Sequence, residues 1–247
     1  MGATKIEFRL RMAIMTVVIT LGFWAPWIER WGLGRRISLL EWLAISLARL
    51  GLMPFGAAIP AVICIAVLTA ALAAVLRVWG TAYLGSGTVN HGKMKAGALL
   101  ADGPYRYVRN PLYVGSWFMV AAMAFLMPVS GALFTMVLIT VFLLRLIVSE
   151  EAFLAGQLGE SYRSYLRTVP RLLPRLRTGL QPAGHKPQWL RAMLAEINPI
   201  GIFLIWAVLA WRYDNWLMVR AIIVSLGVSL VVRALLPAVE AQTSQAK

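Results

Sequence analysis

Long apolar runs separated by polar connections dominate the pattern of the chain. The first run extends from about Met12 to Ile28, and the run Ala57–Leu76 contains no charged residue. A spanning helix needs about 20 consecutive apolar residues, so both runs predict membrane helices. Two more runs, about Ile197–Trp211 and Trp216–Leu236, follow a polar middle region and predict two further spans.

The uncharged run Leu112–Leu144 is too long for a single span, because each helical residue adds about 1.5 Å. Pro128-Val129-Ser130-Gly131 interrupts the run near its middle, and such residues break helices. The run therefore predicts a hairpin of two antiparallel helices. The segment Ile37–Met53 is apolar but carries Glu41 and Arg49, which leaves open whether it crosses the membrane or lies in the interface.

Together these runs predict an all-α fold, a polytopic transmembrane helix bundle of six or seven helices that forms one membrane domain over residues 1–247. The composition agrees, since 60% of the residues are hydrophobic and 14% are charged, whereas soluble domains have about half and about a quarter. The single cysteine, Cys64, and the histidines His91 and His185 have no metal-ligand spacing. No metal site is therefore predicted.

The formal net charge of +14 comes from basic residues that lie beside the apolar spans. No nucleic-acid recognition motif accompanies them, so the expected partner is the lipid bilayer and not a nucleic acid. The basic residues concentrate between Arg77 and Pro111 and again between Arg145 and Arg191, whereas the turn at Pro128 carries no charge. The positive-inside rule therefore places both polar connections on the cytoplasmic side of an integral membrane protein.

A dense polar sequence, Gly103-Pro104-Tyr105-Arg106-Tyr107-Val108-Arg109, leads into Asn110-Pro111 at the start of the hairpin. Asp102 is expected to cap a short helix over Tyr105–Arg109, which must stop because Asn110 precedes a proline. The polar side chains then meet at the cytoplasmic mouth of the hairpin. Anchoring in the membrane interface and formation of a binding site are the two interpretations of such polar groups.

Two adjacent carboxylates, Glu150 and Glu151, are expected to close the second hairpin helix and to return close to residues 103–110, which we call the elbow. Neighbouring carboxylates repel each other and require cationic or hydroxyl partners. Arg106 and Arg109 can neutralise them, or one carboxylate can bind a ligand that carries hydroxyls or positive charge. Further along, Tyr162 and Tyr165 are three residues apart and share one helix face.

The elbow and the glutamate block resemble the integral membrane methyltransferases, the group of isoprenylcysteine carboxyl methyltransferases and phospholipid N-methyltransferases. The first block is Gly103-Pro104-Tyr105-Arg106 with Arg109-Asn110-Pro111-Leu112-Tyr113-Val114-Gly115. The second is Glu150-Glu151 followed by Leu154, Gly159, Tyr162, Tyr165, Val169-Pro170-Arg171 and Pro174. With the hairpin between them they cover residues 84–174, which the resemblance identifies as the methyltransferase core.

The resemblance implies a cytoplasmic cofactor pocket that binds S-adenosylmethionine between the elbow and the glutamates, and an acceptor that is a lipid or a lipidated molecule. It implies catalytic roles for Arg109, Glu151 and Arg171. A glutamate would hold ribose hydroxyls or the amino group of the cofactor, Arg109 would pair with its carboxylate, and Arg171 would hold an anionic acceptor head group. The implied cofactor-binding residues are Gly103, Pro104, Tyr105, Arg106, Arg109, Asn110, Pro111, Tyr113, Gly115, Glu150, Glu151, Tyr162 and Tyr165.

The sequence departs from the isoprenylcysteine enzymes at Asn110, where their motif has histidine, and Ser116 completes an Asn-Pro-x-Tyr-x-Gly-Ser motif that resembles the phospholipid branch. The acceptor therefore stays open among a phospholipid amine, an isoprenoid carboxylate and a thiol, as do the oligomeric state and the choice of cofactor-binding glutamate. One alternative is an NADPH-dependent reductase of the sterol reductase type, in which glutamate usually takes the place of Ser116. Another is a non-enzymatic membrane protein.

Overall fold

The computed structural model describes residues 2–24, 37–84, 102–175, 177, 180–181, 184–212 and 214–235. Within these ranges the chain is helical, and the β-pairing is one isolated bridge between Ser38 and Pro128. The predicted all-α class is therefore confirmed. The end of the predicted first span, residues 25–28, and part of the predicted core, residues 85–101, lie outside the described residues.

Ten α-helices occur within the described ranges. They are α1 Lys5–Arg9, α2 Arg11–Phe23, α3 Leu39–Arg49, α4 Phe55–Leu84, α5 Pro111–Ala124, α6 Val129–Leu158, α7 Glu160–Thr168, α8 Trp189–Ala195, α9 Ile197–Leu209 and α10 Asn215–Leu235. Short 3-10 turns cover Gly103–Arg106, before α5, and Ala210–Arg212, after α9.

Three of these helices, α4, α6 and α10, are long and apolar enough to cross a membrane. The pair formed by α8 and the segment Ile197–Arg212 passes the same test but bends by 74° at its junction, which makes it a broken span or a re-entrant loop. Two shorter apolar helices, α2 and α5, accompany them. The apolar segment Ile37–Met53, left open above, contains only the 11-residue helix α3, and about 17 Å of helix does not cross a bilayer alone.

The predicted hairpin is present as α5 and α6, which are joined by a turn that ends at Pro128. The start of α3 fixes this turn, because the Leu39 N–H donates to the Met127 carbonyl at 2.8 Å and the Leu40 N–H donates to the Phe125 carbonyl at 3.1 Å. On its other side α5 packs along α4. The hairpin is therefore held at its turn by α3 and along its length by α4.

The prediction that Glu150 and Glu151 close the second hairpin helix is wrong, because α6 continues to Leu158. The uninterrupted pattern of helix-forming residues after the glutamates, including Ala152 and Leu154, explains the extension. About 32 Å of helix separates Val129 from Glu150, close to the thickness of the hydrocarbon layer. The glutamates therefore lie at the opposite end of the span from the hairpin turn.

The N-terminal helix α1 lies against α6 near the glutamates. Thr4 and Glu7 form a capping box at its start, and the Arg145 guanidinium donates to both Glu7 carboxylate oxygens at 2.9 Å. The Ala3 N–H donates to the Arg145 carbonyl at 3.1 Å, and the Ser149 hydroxyl donates to the Ala3 carbonyl at 2.8 Å. These contacts bring the beginning of α2 close to the glutamate end of α6.

The crossing of α2 and α6 depends on two glycines, and this gives a first testable prediction. A Cβ on Gly131 would collide with the backbone carbonyl of Gly22, which cannot move without shifting α2. We expect Gly131→Ala to destabilise the protein by about 1–3 kcal/mol, measured by equilibrium unfolding in mixed detergent micelles. The control is Gly156→Ala in the same helix, where nothing lies within 4 Å. Equal stability of the two variants would contradict the close crossing.

Candidate functional site

The elbow before the hairpin begins with a 3-10 turn over Gly103–Arg106, so the predicted helix Tyr105–Arg109 is wrong in type and in position. Gly103 has a φ of 54° and a Cβ there would collide with the ring of Tyr83, which is why a glycine begins the turn. Pro104 is buried and occupies its first half, where a missing N–H is tolerated. The turn ends with Arg106, whose guanidinium donates to the Leu180 carbonyl at 2.6 Å.

Asp102 does not cap this turn with its side chain, which corrects the prediction. Its carboxylate accepts hydrogen bonds from the N–H of Gly184 at 3.3 Å and from the N–H of His185 at 2.8 Å. The His185 ring nitrogen Nδ1 lies 2.8 Å from the same carboxylate. A buried carboxylate that receives backbone donors from a distant segment holds that segment in place. Asp102 therefore fastens residues 184–185 to the elbow.

Residues 170–175, which we call the strap, run along the elbow. The Arg109 N–H donates to the Pro170 carbonyl at 2.9 Å, and the Arg175 N–H donates to the Tyr107 carbonyl at 3.0 Å. Pro170 prevents α7 from continuing into the strap. The strap can therefore pair with the elbow through backbone hydrogen bonds, which brings Arg171 to the glutamates.

The two tyrosines of α7 are buried beside the elbow, as their shared helix face predicts. Their ring centroids lie 5.7 Å apart, and the Tyr165 hydroxyl donates to the Tyr105 carbonyl at 2.8 Å. Burial raises the pKa of Tyr105, Tyr162 and Tyr165 above the usual value of a phenol. All three phenols therefore stay protonated around neutral pH and can donate hydrogen bonds.

Glu151 is the centre of the site and is 6% exposed. The Asn110 amide donates to its Oε1 at 3.1 Å, and the Arg171 guanidinium donates to Oε2 from Nε at 3.1 Å and from a terminal nitrogen at 2.8 Å. A terminal nitrogen of Arg109 lies 3.5 Å from Oε1. Two arginines and an amide thus compensate a buried charge, as the cost of burial requires. The structure therefore brings the predicted catalytic set, Arg109, Glu151 and Arg171, into one cluster.

Glu150 lies next to this cluster in a different environment. The Tyr113 hydroxyl donates to its Oε2 at 2.6 Å, and among the described residues this is the one hydrogen bond to its side chain. Arg106, which the sequence offered as a partner for the glutamates, donates instead to the Leu180 carbonyl at 2.6 Å. The two adjacent carboxylates therefore differ in their hydrogen bonds, since Glu151 accepts several and Glu150 accepts one from the described residues.

Two buried polar atoms of the elbow have no hydrogen-bond partner among the described residues, the Tyr105 hydroxyl and Nε of Arg109. Buried donors without a partner cost free energy and are candidates for ligand contacts. Two further predicted cofactor residues, Pro111 and Gly115, lie in the first turns of α5. Pro111 begins the helix, and a Cβ on Gly115 would meet the Arg77 side chain at 2.6 Å. No cluster of three or more possible metal ligands occurs within the described residues.

The sequence did not reveal a second polar cluster, which lies behind Gly115. The Arg77 guanidinium donates to the Glu196 carboxylate at 2.6 and 2.8 Å and to the Ser116 hydroxyl at 2.7 Å. The Thr81 hydroxyl donates to the same carboxylate at 2.7 Å, and Glu196 is 0% exposed. The one sequence signal was an acid immediately before an apolar run, but its partner lies 119 residues away along the chain.

Comparisons with known proteins find similarity to methyltransferases. The family model of phospholipid methyltransferases matches residues 61–161. The chain is 46% identical over 70 residues to a methanethiol S-methyltransferase of Crocosphaera subtropica, over 28% of this chain and 27% of that protein. It is 41% identical over 78 residues to a protein-S-isoprenylcysteine O-methyltransferase of Schizosaccharomyces pombe, over 31% of this chain and 33% of that protein.

The matched part of the chain thus spans about a third or less of the length of these curated relatives. No solved structure matches the chain significantly. The matched residues include the elbow, α5 and α6, and with them Asn110, Tyr113, Glu150 and Glu151. The family match over residues 61–161 and the two methyltransferase relatives therefore confirm the resemblance to the integral membrane methyltransferases that the two sequence blocks indicated.

Proposed function

We propose that this chain is an integral membrane methyltransferase that transfers a methyl group from S-adenosylmethionine to a lipid or lipidated acceptor. The observation that carries the proposal is the convergence of both motif blocks on Glu151. Asn110 and Arg109 from the elbow and Arg171 from the strap all reach its carboxylate. The family match to phospholipid methyltransferases covers the hairpin that brings these blocks together.

The side chains at the elbow fit such a cofactor. S-adenosylmethionine carries a carboxylate, an amino group and ribose hydroxyls, and when bound it supplies an electrophilic methyl group on its sulfonium. The buried and unpartnered Nε of Arg109 and hydroxyl of Tyr105 offer hydrogen-bond donors for the carboxylate and the ribose oxygens. Glu151 holds Arg109 and Asn110 in place, and its negative charge compensates the positive charge of Arg109. The site thus aligns its ligands, which is the main requirement of a displacement reaction.

The site lies at one end of the membrane bundle. Several large apolar side chains of α4, α6 and α10 are exposed, among them Leu68, Val137 and Val224, and we infer that they face the acyl chains of the bilayer. The elbow and the strap carry the basic residues, so we infer that the site opens to the cytoplasm. An acceptor with an apolar tail can then reach the site from the lipid.

A binding measurement tests the proposal. We expect the detergent-purified chain to bind S-adenosylhomocysteine with micromolar affinity in calorimetric titration and to show no binding of NADPH in a parallel titration. Binding of NADPH alone would reject the methyltransferase and favour a reductase. Absence of binding for both compounds, in detergent and again in lipid nanodiscs, would reject both enzymes and favour a non-enzymatic membrane protein.

A further inference from the structure

Within the proposed function, on which this inference rests, we propose that Glu150 is the general base that removes a proton from the acceptor. The acceptor is then a thiol or an amine and not a carboxylate. The inference starts from the contrast between two adjacent glutamates of α6. They share one helix and one end of the membrane bundle, but their hydrogen bonds suit them to different tasks.

Glu151 is not available as a base. Both of its oxygens accept hydrogen bonds, Oε1 from Asn110 at 3.1 Å and Oε2 from Arg171 at 2.8 Å, and Arg109 lies 3.5 Å away. A proton on this carboxylate would replace charge-assisted hydrogen bonds and would leave Arg109, which is largely buried, without its counter-charge. Glu151 is therefore a positioning residue.

Glu150 can accept a proton, whereas Glu151 cannot. Its Oε2 accepts the Tyr113 hydroxyl at 2.6 Å, and within the described residues no second hydrogen bond to the carboxylate is found. Arg11 is close enough to act on it electrostatically, but the Arg11 guanidinium donates to the Phe8 carbonyl at 3.2 Å and packs over the Phe8 ring. One oxygen of Glu150 thus remains to accept a proton, while Tyr113 fixes the orientation of the carboxylate.

The chemistry of the acceptor follows from this free oxygen. Thiols and amines have pKa values of about 8.5 and about 10.4 and are mostly protonated at neutral pH. The proton passes to Oε1 of Glu150, and the electron pair of the broken S–H or N–H bond stays on the acceptor and forms the bond to the methyl carbon. The donor's carbon–sulfur bond breaks, and its electron pair stays on sulfur. A carboxylate acceptor is already ionised, needs no base, and is repelled by Glu150.

The test compares Glu150→Gln with wild type in lipid nanodiscs, using dodecanethiol, dodecylamine and dodecanoate as acceptors. We expect wild type to methylate the thiol or the amine, and we expect the variant to lose about 10²–10⁴-fold in kcat/KM at neutral pH. The loss should shrink as rising pH deprotonates the acceptor, and Glu150→Asp should retain an intermediate rate. Affinity for S-adenosylhomocysteine, measured by calorimetry, should stay unchanged in Glu150→Gln.

The pH profile must be read against the charged and titratable groups that act on Glu150, which are Arg11, Tyr105, Tyr113, Glu151 and Tyr162. The matched control is Glu160→Gln, since Glu160 is two-thirds exposed on α7 and its removal should change neither rate nor binding. Several outcomes would overturn the inference: unchanged turnover in Glu150→Gln, loss of its affinity for S-adenosylhomocysteine, methylation of dodecanoate, or no methylation of any acceptor by wild type that binds the cofactor product. Wild type that does not bind this product would instead overturn the proposed function itself.

Discussion

Replacing Glu151 with alanine is expected to abolish the proposed methyl transfer and to lower the free energy of unfolding by about 3 kcal/mol. The carboxylate is almost completely buried and joins the elbow to the strap through Asn110 and Arg171. Breaking a buried ion pair usually costs about 3–5 kcal/mol. We expect the lower end of that range, because Arg171 is 46% exposed and can rehydrate.

Two measurements test this expectation, equilibrium unfolding in mixed detergent micelles and calorimetric titration with S-adenosylhomocysteine. Loss of the carboxylate frees Arg109 and Asn110 to rotate, so the affinity should fall at least about tenfold, the equivalent of one weak charge-assisted hydrogen bond. Glu160→Ala is the control, because Glu160 forms only exposed pairs with Arg163 and Arg167. Normal affinity in Glu151→Ala would show that the site does not depend on this carboxylate.

The second large effect is expected at Glu196, the carboxylate behind the hairpin. Glu196→Ala should lower the free energy of unfolding by about 3–5 kcal/mol, because Arg77 would keep its charge in a buried place without a counter-charge. The Arg77 side chain is 14% exposed and its nearest remaining acceptor is the Ser116 hydroxyl at 2.7 Å. Equilibrium unfolding in mixed detergent micelles measures the loss.

The double variant Arg77→Met, Glu196→Met separates charge from packing at this pair. It removes both charges and keeps apolar side chains in their place, so it should recover most of the stability that either single change loses. The matched control is Glu7→Ala, which removes the carboxylate of a partly exposed pair with Arg145 and should have a much smaller effect. Additive losses in the double variant would show that the two side chains act independently.

The three long apolar helices and the hairpin were predictable because they depend on local properties of the chain. A long uncharged run and a proline near its middle define two helices and a turn without knowledge of any distant residue. The end of α6 was harder to predict from the sequence, since Glu150 and Glu151 are helix formers and nothing in the sequence marks them as interior or terminal residues of the helix. The 3-10 turn replaced the predicted short helix because Gly103 adopts a positive φ against the ring of Tyr83.

The surroundings of Gly115-Ser116 show the same division between local and distant information, because the carboxylate found there belongs to a residue far away along the chain. Reductases of the sterol type usually carry a glutamate after this glycine, and the presence of Ser116 at that position favoured methyl transfer. The structure supplies a carboxylate to this region from Glu196, at the bend between α8 and α9. The counter-charge of Arg77 therefore comes from Glu196 and not from a residue that follows Gly115 in the sequence. The Ser116 hydroxyl completes the cluster, because it accepts a further hydrogen bond from Arg77.

The sequence by itself determined the helical class of this protein and its long apolar helices, and it marked the elbow and the glutamate pair as the candidate site, because hydrophobic run length, proline breaks and motif residues are local. The tertiary structure alone decided how the charges are shared. Among the described residues Arg171 and Arg109, and not Arg106, lie against Glu151, one oxygen of Glu150 accepts no hydrogen bond, and Arg77 pairs with Glu196. These pairings depend on the rotation and packing of whole helices and on the path of the strap, which distant contacts fix.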